Sequence, residues 1–307
     1  MVRARRGWLS IVGRIVVVLG VVVALAYAGL VVATNRILAA EEAMPVAVVP
    51  VRIPDAGDTV AVERGRYLVD HALNCKVCHS PDLAGGAVID NFPIGKLWAP
   101  NLTAGRGSVI GDFTPTDWAR SIRHGLHRTG RRLFLMPSED FFSFSDDDIG
   151  SAVAYVKSMP PVDRDNQGIS LGPVGRVLLL TGDVDFAFNK IEHAAARSTA
   201  APGATLAWGQ VLASTCSGCH GAGFSGGAIP GGDPSWPPAR NLTQHETGLK
   251  SWAQADFITA LRQGHRPDGT AIKPPMPWQA YGGLSDTDLD ALWIYLRSVP
   301  PKALGGR

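Results

Sequence analysis

Two short segments with the same pattern contain all four cysteines of the chain, residues 75–79 and 216–220, and each reads Cys-x-x-Cys-His. Two thiols three positions apart can each form a thioether with a vinyl group of one porphyrin, and the imidazole that follows can bind its iron. This is the attachment signature of c-type haem. We therefore expect two covalently bound haem c groups. The predicted attachment residues are Cys75, Cys78, Cys216 and Cys219, and the predicted iron ligands are His79 and His220.

Two other chemistries use paired cysteines, namely structural zinc binding and thioredoxin-like redox exchange. The two pairs of a zinc site are usually separated by about 12–20 residues, far fewer than lie between Cys78 and Cys216. A redox pair would not explain the histidine that directly follows the second cysteine in both motifs. Haem attachment is therefore the preferred interpretation.

A methionine lies at nearly the same distance after each motif, Met136 in the first and Met276 in the second, and each is followed by proline. A methionine sulfur opposite histidine raises the reduction potential of a haem iron and closes it to small ligands. A lone methionine is more often a flexible core residue, but two at one register favour the ligand role. Met159, whose counterpart is Val299, is predicted to be a packing residue.

Other histidines are weaker candidates for the iron. The alternative ligands are His124, His127, His245 and His265, but none recurs at the same position after both motifs. We expect these four side chains at the surface.

A haem-ligating imidazole normally donates its remaining N–H to a carbonyl or carboxylate, which fixes the ring. Pro100 is the predicted acceptor for His79, and either Arg240 or Pro238 could serve His220. Loop packing without any contact to these histidines is the alternative role for all three residues.

The composition of the 307 residues limits the remaining classes. A net charge of +2, from 29 basic and 27 acidic residues, gives no electrostatic reason for a nucleic-acid partner. A hydrophobic content of 46% argues against disorder. The 35 glycines and 22 prolines indicate domains rich in loops.

The amino-terminal segment sets the expected compartment. Residues 15–33 are uncharged and follow Arg3, Arg5, Arg6 and Arg14. At about 1.5 Å per residue, such a run nearly spans a hydrocarbon core of about 30 Å. We expect a membrane anchor over residues 1–40 in a bacterial inner membrane, with a cytoplasmic amino terminus and the rest of the chain in the periplasm. A cleaved signal sequence is the alternative.

The rest of the chain contains an internal sequence repeat with two copies. A shift of 140 residues aligns residues 101–103 with 241–243, Met136-Pro137 with Met276-Pro277, and Pro160-Pro161 with Pro300-Pro301. We predict a linker over 41–59, a first repeat over 60–162, an interdomain linker over 163–202 and a second repeat over 203–302. The stretch 171–196 is too apolar for a free tether, so it should pack against one or both repeats.

The readable elements are helical, and no stretch shows the sustained alternation of a strand. Ser145 and Ser285 each precede an acidic residue by three positions and an apolar helical pattern that ends at a proline pair. Two more helices are expected after Thr114, ending near Gly125, and from near Ser251 to Gly264. A further helix should lead into each cysteine motif. The predicted fold class is all-α, with two tandem domains behind one transmembrane helix.

Both repeats resemble class I cytochrome c domains. The resemblance rests on residues 65–68, 100–103, 136–137, 284–286 and 295–298, together with the two Cys-x-x-Cys-His motifs. The pairing behind an anchor is similar to membrane-associated multihaem cytochromes, including the cytochrome subunits of bacterial alcohol, aldehyde and sugar-acid dehydrogenases. The resemblance implies a small haem fold and periplasmic electron transfer. Those subunits have three haem motifs, whereas this chain has two.

The expected function is electron transfer rather than catalysis. The chain would carry single electrons between a donor dehydrogenase or respiratory complex and a terminal acceptor, with redox proteins as partners. One alternative is a fixed cytochrome subunit of a membrane dehydrogenase complex. A dihaem peroxidase or thiosulfate-oxidising enzyme is less favoured, because such chemistry needs an iron that can open or a ligand other than methionine.

Overall fold

The computed structural model describes residues 2–41, 46–55, 57–233 and 235–306, with side chains from residue 11 onward. The first part contains α1 (Val2–Ala39), α2 (Thr59–Tyr67), a π-helical turn (Leu68–Ala72), α3 (Lys76–His79), α4 (Pro115–His124), α5 (Ser138–Phe141) and α6 (Asp146–Ser158). The linker contains α7 (Pro173–Thr181) and α8 (Ala187–Lys190). The second repeat contains α9 (Leu206–Ala213), a 3-10 turn (Ser214–Cys216), α10 (Ser217–His220), α11 (Gln254–Gln263), α12 (Trp278–Tyr281) and α13 (Asp286–Ser298).

In each repeat, the helix that leads into the cysteine motif crosses the closing helix at very short range. A Cβ added at Gly65 of α2 would lie 1.9 Å from the Ser151 carbonyl oxygen of α6. A Cβ added at Gly209 of α9 would lie 2.0 Å from the Ala291 carbonyl oxygen of α13. Each glycine therefore permits a backbone contact that no other residue could make.

The predicted helix boundaries are largely confirmed. The Ser145 hydroxyl accepts the Asp148 N–H at 3.0 Å, and the Ser285 hydroxyl accepts the Asp288 N–H at 3.1 Å, which caps the two closing helices. Helices α4 and α11 end at Gly125 and Gly264, both with left-handed backbone. Helix α11 begins at Gln254, three residues later than Ser251, because the Asp256 carboxylate accepts the Ala253 N–H.

The all-α prediction is wrong in one respect, because the structure contains a three-stranded antiparallel sheet of β1 (Gly86–Asn91), β2 (Gly95–Ala99) and β3 (Ile169–Leu171). The sheet joins residues 86–99 of the first repeat to the interdomain linker. The strands are short, and a register irregularity in β1 interrupts the pattern of burial. No clean alternation was therefore visible in the sequence.

The apolar interdomain stretch packs as expected. Leu171, Leu179, Phe186 and Phe188 are buried in a second core cluster, with Leu97, Leu126 and Phe134 of the first repeat. Ile37 and Leu38 of α1 contact the same cluster. The segment is thus a brace between the first repeat and the amino-terminal helix.

Helix α1 has the length and composition of a membrane span over Ile11–Ala39. Its apolar side chains are exposed through Val23 and Leu25 and begin to be covered near Leu30. The side chains of Arg3, Arg5 and Arg6, which carry the predicted orientation together with Arg14, lie outside the described residues. So do residues 42–45 and 56 of the predicted 41–59 linker.

The two repeats contact each other reciprocally. The segment that leads into the first cysteine motif lies against α12, where His71 Nδ1 is 3.0 Å from the Ala280 carbonyl oxygen. The segment that leads into the second motif lies against α5, where the Ser214 hydroxyl donates to the Asp140 carbonyl oxygen at 2.6 Å. Asp140 and Ala280 occupy the same position in their repeats, four residues after Met136 and Met276. The interface is therefore two-fold in pattern.

Candidate haem sites

Cys75 and Cys216 are the N-cap residues of α3 and α10, Cys78 and Cys219 lie within these helices, and no disulfide joins the four cysteines. Burial raises the pKa of both Cys75 and Cys216 to about 12 and also raises the pKa of Cys78. These three positions therefore favour an uncharged sulfur. A thioether sulfur is uncharged and suits such surroundings.

Both motif histidines are buried, with 8% of His79 and 7% of His220 exposed. His79 Nδ1 lies 2.9 Å from the Pro100 carbonyl oxygen, and His220 Nδ1 lies 2.7 Å from the Arg240 carbonyl oxygen. A carbonyl can only accept, so Nδ1 donates in both rings. Burial lowers the pKa of His79, which keeps that ring neutral and leaves the lone pair on Nε2, the atom an iron needs.

The accepting carbonyls are held by an Asn-Leu-Thr segment that follows them in both repeats. The Asn101 side chain donates to the Val162 carbonyl oxygen at 2.8 Å, and the Asn241 side chain donates to the Lys302 carbonyl oxygen at 2.7 Å. Each asparagine also accepts the backbone N–H two residues on, that of Thr103 or Thr243. The sequence showed the repeat of these residues but not their role, which is to tie each carbonyl to the end of its repeat.

Pro238 was the other acceptor considered for His220. The described contact runs to Arg240, the residue that aligns with Pro100. The exchange of proline for arginine is tolerated because the contact uses a backbone carbonyl.

The two methionines sit in loops of matching conformation. Pro137 and Pro277, which follow them, have φ/ψ of −81°/61° and −85°/56°. The backbone N–H of Leu133 donates to Gly125 and that of Ile272 donates to Gly264, both at 2.7 Å. Met136 and Met276 are partly buried and contact the main core cluster. Met159 contacts the same core at the end of α6, in agreement with a packing role.

An arginine that the sequence reading missed braces each of these loops. Arg123 is fully buried and donates to the carbonyls of Phe142 and Phe144, at 3.0 and 2.7 Å, and to Asp146 at 2.8 Å. Arg262 donates to the Gly282 carbonyl and to Asp286 in the second repeat. The shared spacing of each arginine from the following glycine, Gly125 or Gly264, was the signal that could have revealed them.

The expectation that all four other histidines lie at the surface is wrong for His124. That side chain is fully buried, and its Nδ1 lies 2.9 Å from His193 Nδ1. Burial lowers the pKa of His124 to about 4, so the ring is neutral. His265 is exposed, while His127 and His245 are partly exposed.

The donor set fits c-type haem better than a bare metal ion. Within the described residues, no group of three or more His, Cys, Asp or Glu side chains is arranged to hold a metal ion. Each motif instead offers two cysteine sulfurs and one buried imidazole that a carbonyl orients. That set suits a porphyrin attached at its edge and ligated from one face.

Comparison with known families agrees with this chemistry. Residues 206–300 match the family described as cytochrome c, and residues 60–156 match the family described as cytochrome c oxidase, cbb3-type, subunit III. The chain carries two cytochrome c domains. Covalently bound haem c is therefore their cofactor, and the first and second repeats are hereafter the first and second cytochrome c domains.

Similar proteins extend the comparison across most of the chain. The fructose dehydrogenase cytochrome subunit of Gluconobacter japonicus is 27% identical over 83% of this chain and 56% of its own length. The cytochrome c subunit of a quinone alcohol dehydrogenase from Gluconobacter oxydans (strain 621H) is 28% identical over 79% of this chain and 55% of its own. The gluconate 2-dehydrogenase cytochrome c subunit of Pantoea cypripedii is 28% identical over 81% of this chain and 62% of its own length. The chain thus spans little more than half the length of these relatives.

Proposed function

We propose that this chain is a membrane-anchored dihaem cytochrome that passes single electrons in the periplasm between a donor dehydrogenase or respiratory complex and a terminal acceptor. The observation that carries the proposal is the repeated geometry of a Cys-x-x-Cys-His turn whose histidine Nδ1 meets a backbone carbonyl in both domains. Helix α1 supplies the anchor, with the amino terminus in the cytoplasm.

In this proposal the chain's residues hold, orient and shield the haems. Cys75 and Cys78 would attach one haem and Cys216 and Cys219 the other, while His79 and His220 would bind the irons. Met136 and Met276 would be the second protein ligands of these irons. A bound haem c supplies a one-electron Fe(III)/Fe(II) couple. Two protein ligands on each iron would keep small molecules off it, which favours electron transfer over peroxidase chemistry or thiosulfate oxidation.

The second candidate is a fixed cytochrome subunit of a membrane dehydrogenase complex. The names of the similar proteins support it, because the three described above are cytochrome subunits of fructose, alcohol and gluconate dehydrogenases. Purification under mild detergent distinguishes the two. A fixed subunit should co-purify with a catalytic subunit in constant ratio, whereas a carrier should be recovered alone.

Haem quantitation with visible and near-infrared spectroscopy on the full chain tests the proposal. We expect two haems per chain, both low-spin with the charge-transfer band of His–Met ligation. One haem per chain, or a high-spin iron in the purified protein, would contradict the dihaem carrier.

Variants of the methionines test the ligand assignment. We expect Met276→Ala to lower the potential of one haem and to open its iron to cyanide or carbon monoxide, and Met136→Ala to do the same at the other. Met159→Ala is the matched control, since Met159 contacts the core and its counterpart in the second domain is Val299, which cannot bind iron. An unchanged potential and ligand affinity in Met276→Ala would show that Met276 is a packing residue.

A further inference from the structure

Helix α7 of the interdomain linker has two different faces. Its inner face, formed by Gly175, Arg176 and Leu179, is buried. Its outer side carries Val174, Val177 and Leu180, with 40, 47 and 54% of each residue exposed. The helix contains no charged residue other than Arg176. A short helix that displays three aliphatic side chains and no charge on its outer side is unusual for a surface in water.

The tip of the β1–β2 hairpin extends this apolar surface. Phe92 at the tip is 86% exposed. The tip is fixed to the start of α7, because the Gly172 N–H donates to Ile94 at 2.8 Å and the Val174 N–H donates to Pro93 at 3.1 Å. A Cβ at Gly175 would lie 2.2 Å from the Ile94 carbonyl oxygen, so hairpin and helix are in direct contact. We name Phe92, Val174, Val177 and Leu180 the apolar ledge.

The ledge lies beside the amino-terminal helix at the end of its uncharged run. Arg176 donates to the Val31 carbonyl oxygen at 3.3 Å, to Asn35 at 2.9 Å and to the Thr34 hydroxyl. The uncharged run ends at Asn35, and Arg36 follows. The side chains of α1 begin to be covered by the rest of the chain near Leu30, and Thr34 is fully buried, although Val32 is still 52% exposed. Helix α7 is therefore held at the level where a membrane span would leave the hydrocarbon and enter the headgroup region.

We propose that the apolar ledge docks on the lipid bilayer, so that α7 and the hairpin tip lie in the membrane interface beside the anchor. The inference rests on the membrane anchor of the proposed function. Continuity with α1 identifies the occupant as lipid, since a span that enters the bilayer at residues 31–35 brings α7 to the bilayer surface. An apolar face buried at the boundary between lipid headgroups and acyl chains is typical of interfacial helices. Arg176 is 9% exposed and its Nη1 donates to α1, so its charge lies on the inner face of α7 and not on the ledge.

Docking at two points would fix how the cytochrome domains stand on the membrane. A single helical anchor leaves a domain free to rotate and tilt. Contact through the ledge as well would hold the sheet and the first domain at one height and orientation above the bilayer. The second domain, bound to the first through the reciprocal interface, would share that orientation.

Three variants of the haem-loaded full chain in lipid nanodiscs, each with one added cysteine, test this surface. Val177→Cys reports on the ledge, and Val60→Cys, at an 80% exposed valine of α2, is the matched control in water. Val23→Cys lies in the middle of the anchor. The rate of alkylation by a charged maleimide gives access to water. A nitroxide on the same added cysteine gives the ratio of oxygen to nickel-chelate collisions, which is high in lipid.

We expect position 177 to be protected from labelling in discs. Val177→Cys should react roughly tenfold more slowly than Val60→Cys, because thiolate formation is suppressed in an apolar medium. Its oxygen ratio should approach that of Val23→Cys. Equal, rapid labelling at positions 177 and 60 would overturn the ledge while leaving the anchor intact. Slow labelling with a low oxygen ratio would mean that protein covers the face, which also overturns it. Rapid labelling at position 23 would instead refute the anchor.

Discussion

The two cytochrome c domains share their backbone contacts and differ in the side chains that connect them to the rest of the chain. In both, an imidazole meets a carbonyl held by asparagine, and a serine caps the closing helix. The acidic residue of the cap has different partners, however. Asp148 accepts from Arg64 within the first domain, whereas Asp288 accepts from Trp208 and from Tyr67 of the first domain. The contacts that both domains share form the haem sites, whereas the contacts that differ, such as those of Asp288, hold the two domains together.

The interface shows the same division. Asp140 and Ala280 stand at one position, and each offers its backbone carbonyl to the other domain. Only Asp140 adds a side-chain hydrogen bond, which it accepts at 3.1 Å from the hydroxyl of Ser217 within the second cysteine motif. The backbone contacts are thus repeated, but Asp140 places a carboxyl beside the second cysteine motif, whereas Ala280 has none to place beside the first. The two haem sites therefore have different electrostatic surroundings.

The shared crossing glycines should give the largest effect. Gly65→Ala and Gly209→Ala each place a methyl group about 2 Å from a carbonyl oxygen, so we expect each to lower the free energy of unfolding by about 4 kcal/mol or more. Gly111→Ala is the control, because nothing lies within 4 Å of its added Cβ. Thermal and denaturant unfolding with haem content measures the loss. A mild effect at one glycine alone would break the equivalence of the two domains.

The Asp140 carboxyl, which has no equivalent at Ala280, should make the free energy of unfolding depend on pH. Burial raises the pKa of Asp140 to about 7, with Glu139 raising it further and Ser217 and Lys190 lowering it. The folded state thus binds this proton more tightly than the unfolded state, so the contribution is fully present below about pH 4 and is lost as pH rises to about 7. We expect Asp140→Asn to remove a loss of about 2–4 kcal/mol across this window.

Denaturant unfolding of wild type and Asp140→Asn between pH 4 and pH 8 measures this difference. Asp55→Asn, at an exposed position, is the control. Parallel pH profiles for wild type and Asp140→Asn would show that the carboxyl is already ionised without cost in the folded protein.

The arginines that brace the methionine loops differ between the two domains in burial. The Arg123 side chain is fully buried, whereas the Arg262 side chain is one-third exposed. Removing Arg123 leaves two buried carbonyls without a donor, so we expect Arg123→Met to cost about 2–3 kcal/mol. Arg262→Met should cost only about 0.5–1 kcal/mol, because water can replace its contacts. Equilibrium unfolding of the two variants tests the ranking. Equal losses of unfolding free energy in the two variants would mean that the burial of Arg123 does not make its contacts stronger than those of Arg262.

A small effect is also expected for the Tyr67 hydroxyl, which joins the two domains. Tyr67 accepts the Ser285 N–H at 2.8 Å and donates to Asp288, so Tyr67→Phe should cost about 1 kcal/mol. The loss should appear as faster hydrogen exchange at the start of α13. Tyr155→Phe removes a hydroxyl that accepts from Lys76 within the first domain and should leave α13 unchanged. Exchange that increases in both variants would place the Tyr67 effect outside the interface.

Local patterns predicted the parts of the fold that depend on neighbouring residues. The caps at Ser145 and Ser285 and the helix ends at Gly125 and Gly264 are set by contacts within a few positions. The carbonyl partner of His79 was predictable because a fixed imidazole needs an acceptor and a loop follows at a suitable distance. These features need no knowledge of distant residues.

Contacts between distant residues could not be derived in the same way. Tyr67 and Asp288 are 221 positions apart, and nothing in either local pattern indicates the other. The sheet also depends on a distant partner, since β3 comes from the linker and pairs with β2 of the first domain. The arginine brace at Arg123 was hidden because a charged residue on a helix is usually interpreted as a solvent-exposed one.

The reciprocal interface resembles an isologous dimer, in which the same surface patch of both units forms the contact. The same segments meet in both directions within this chain, since His71 contacts Ala280 and Ser214 contacts Asp140, although His71 and Ser214 stand two positions apart when the cysteine motifs are aligned. A pair of separate domains would dissociate on dilution, but the covalent connection holds them at an effective concentration on the order of millimolar. The chain is in this sense a tethered dimer, and its two halves stay together at any expression level of the protein.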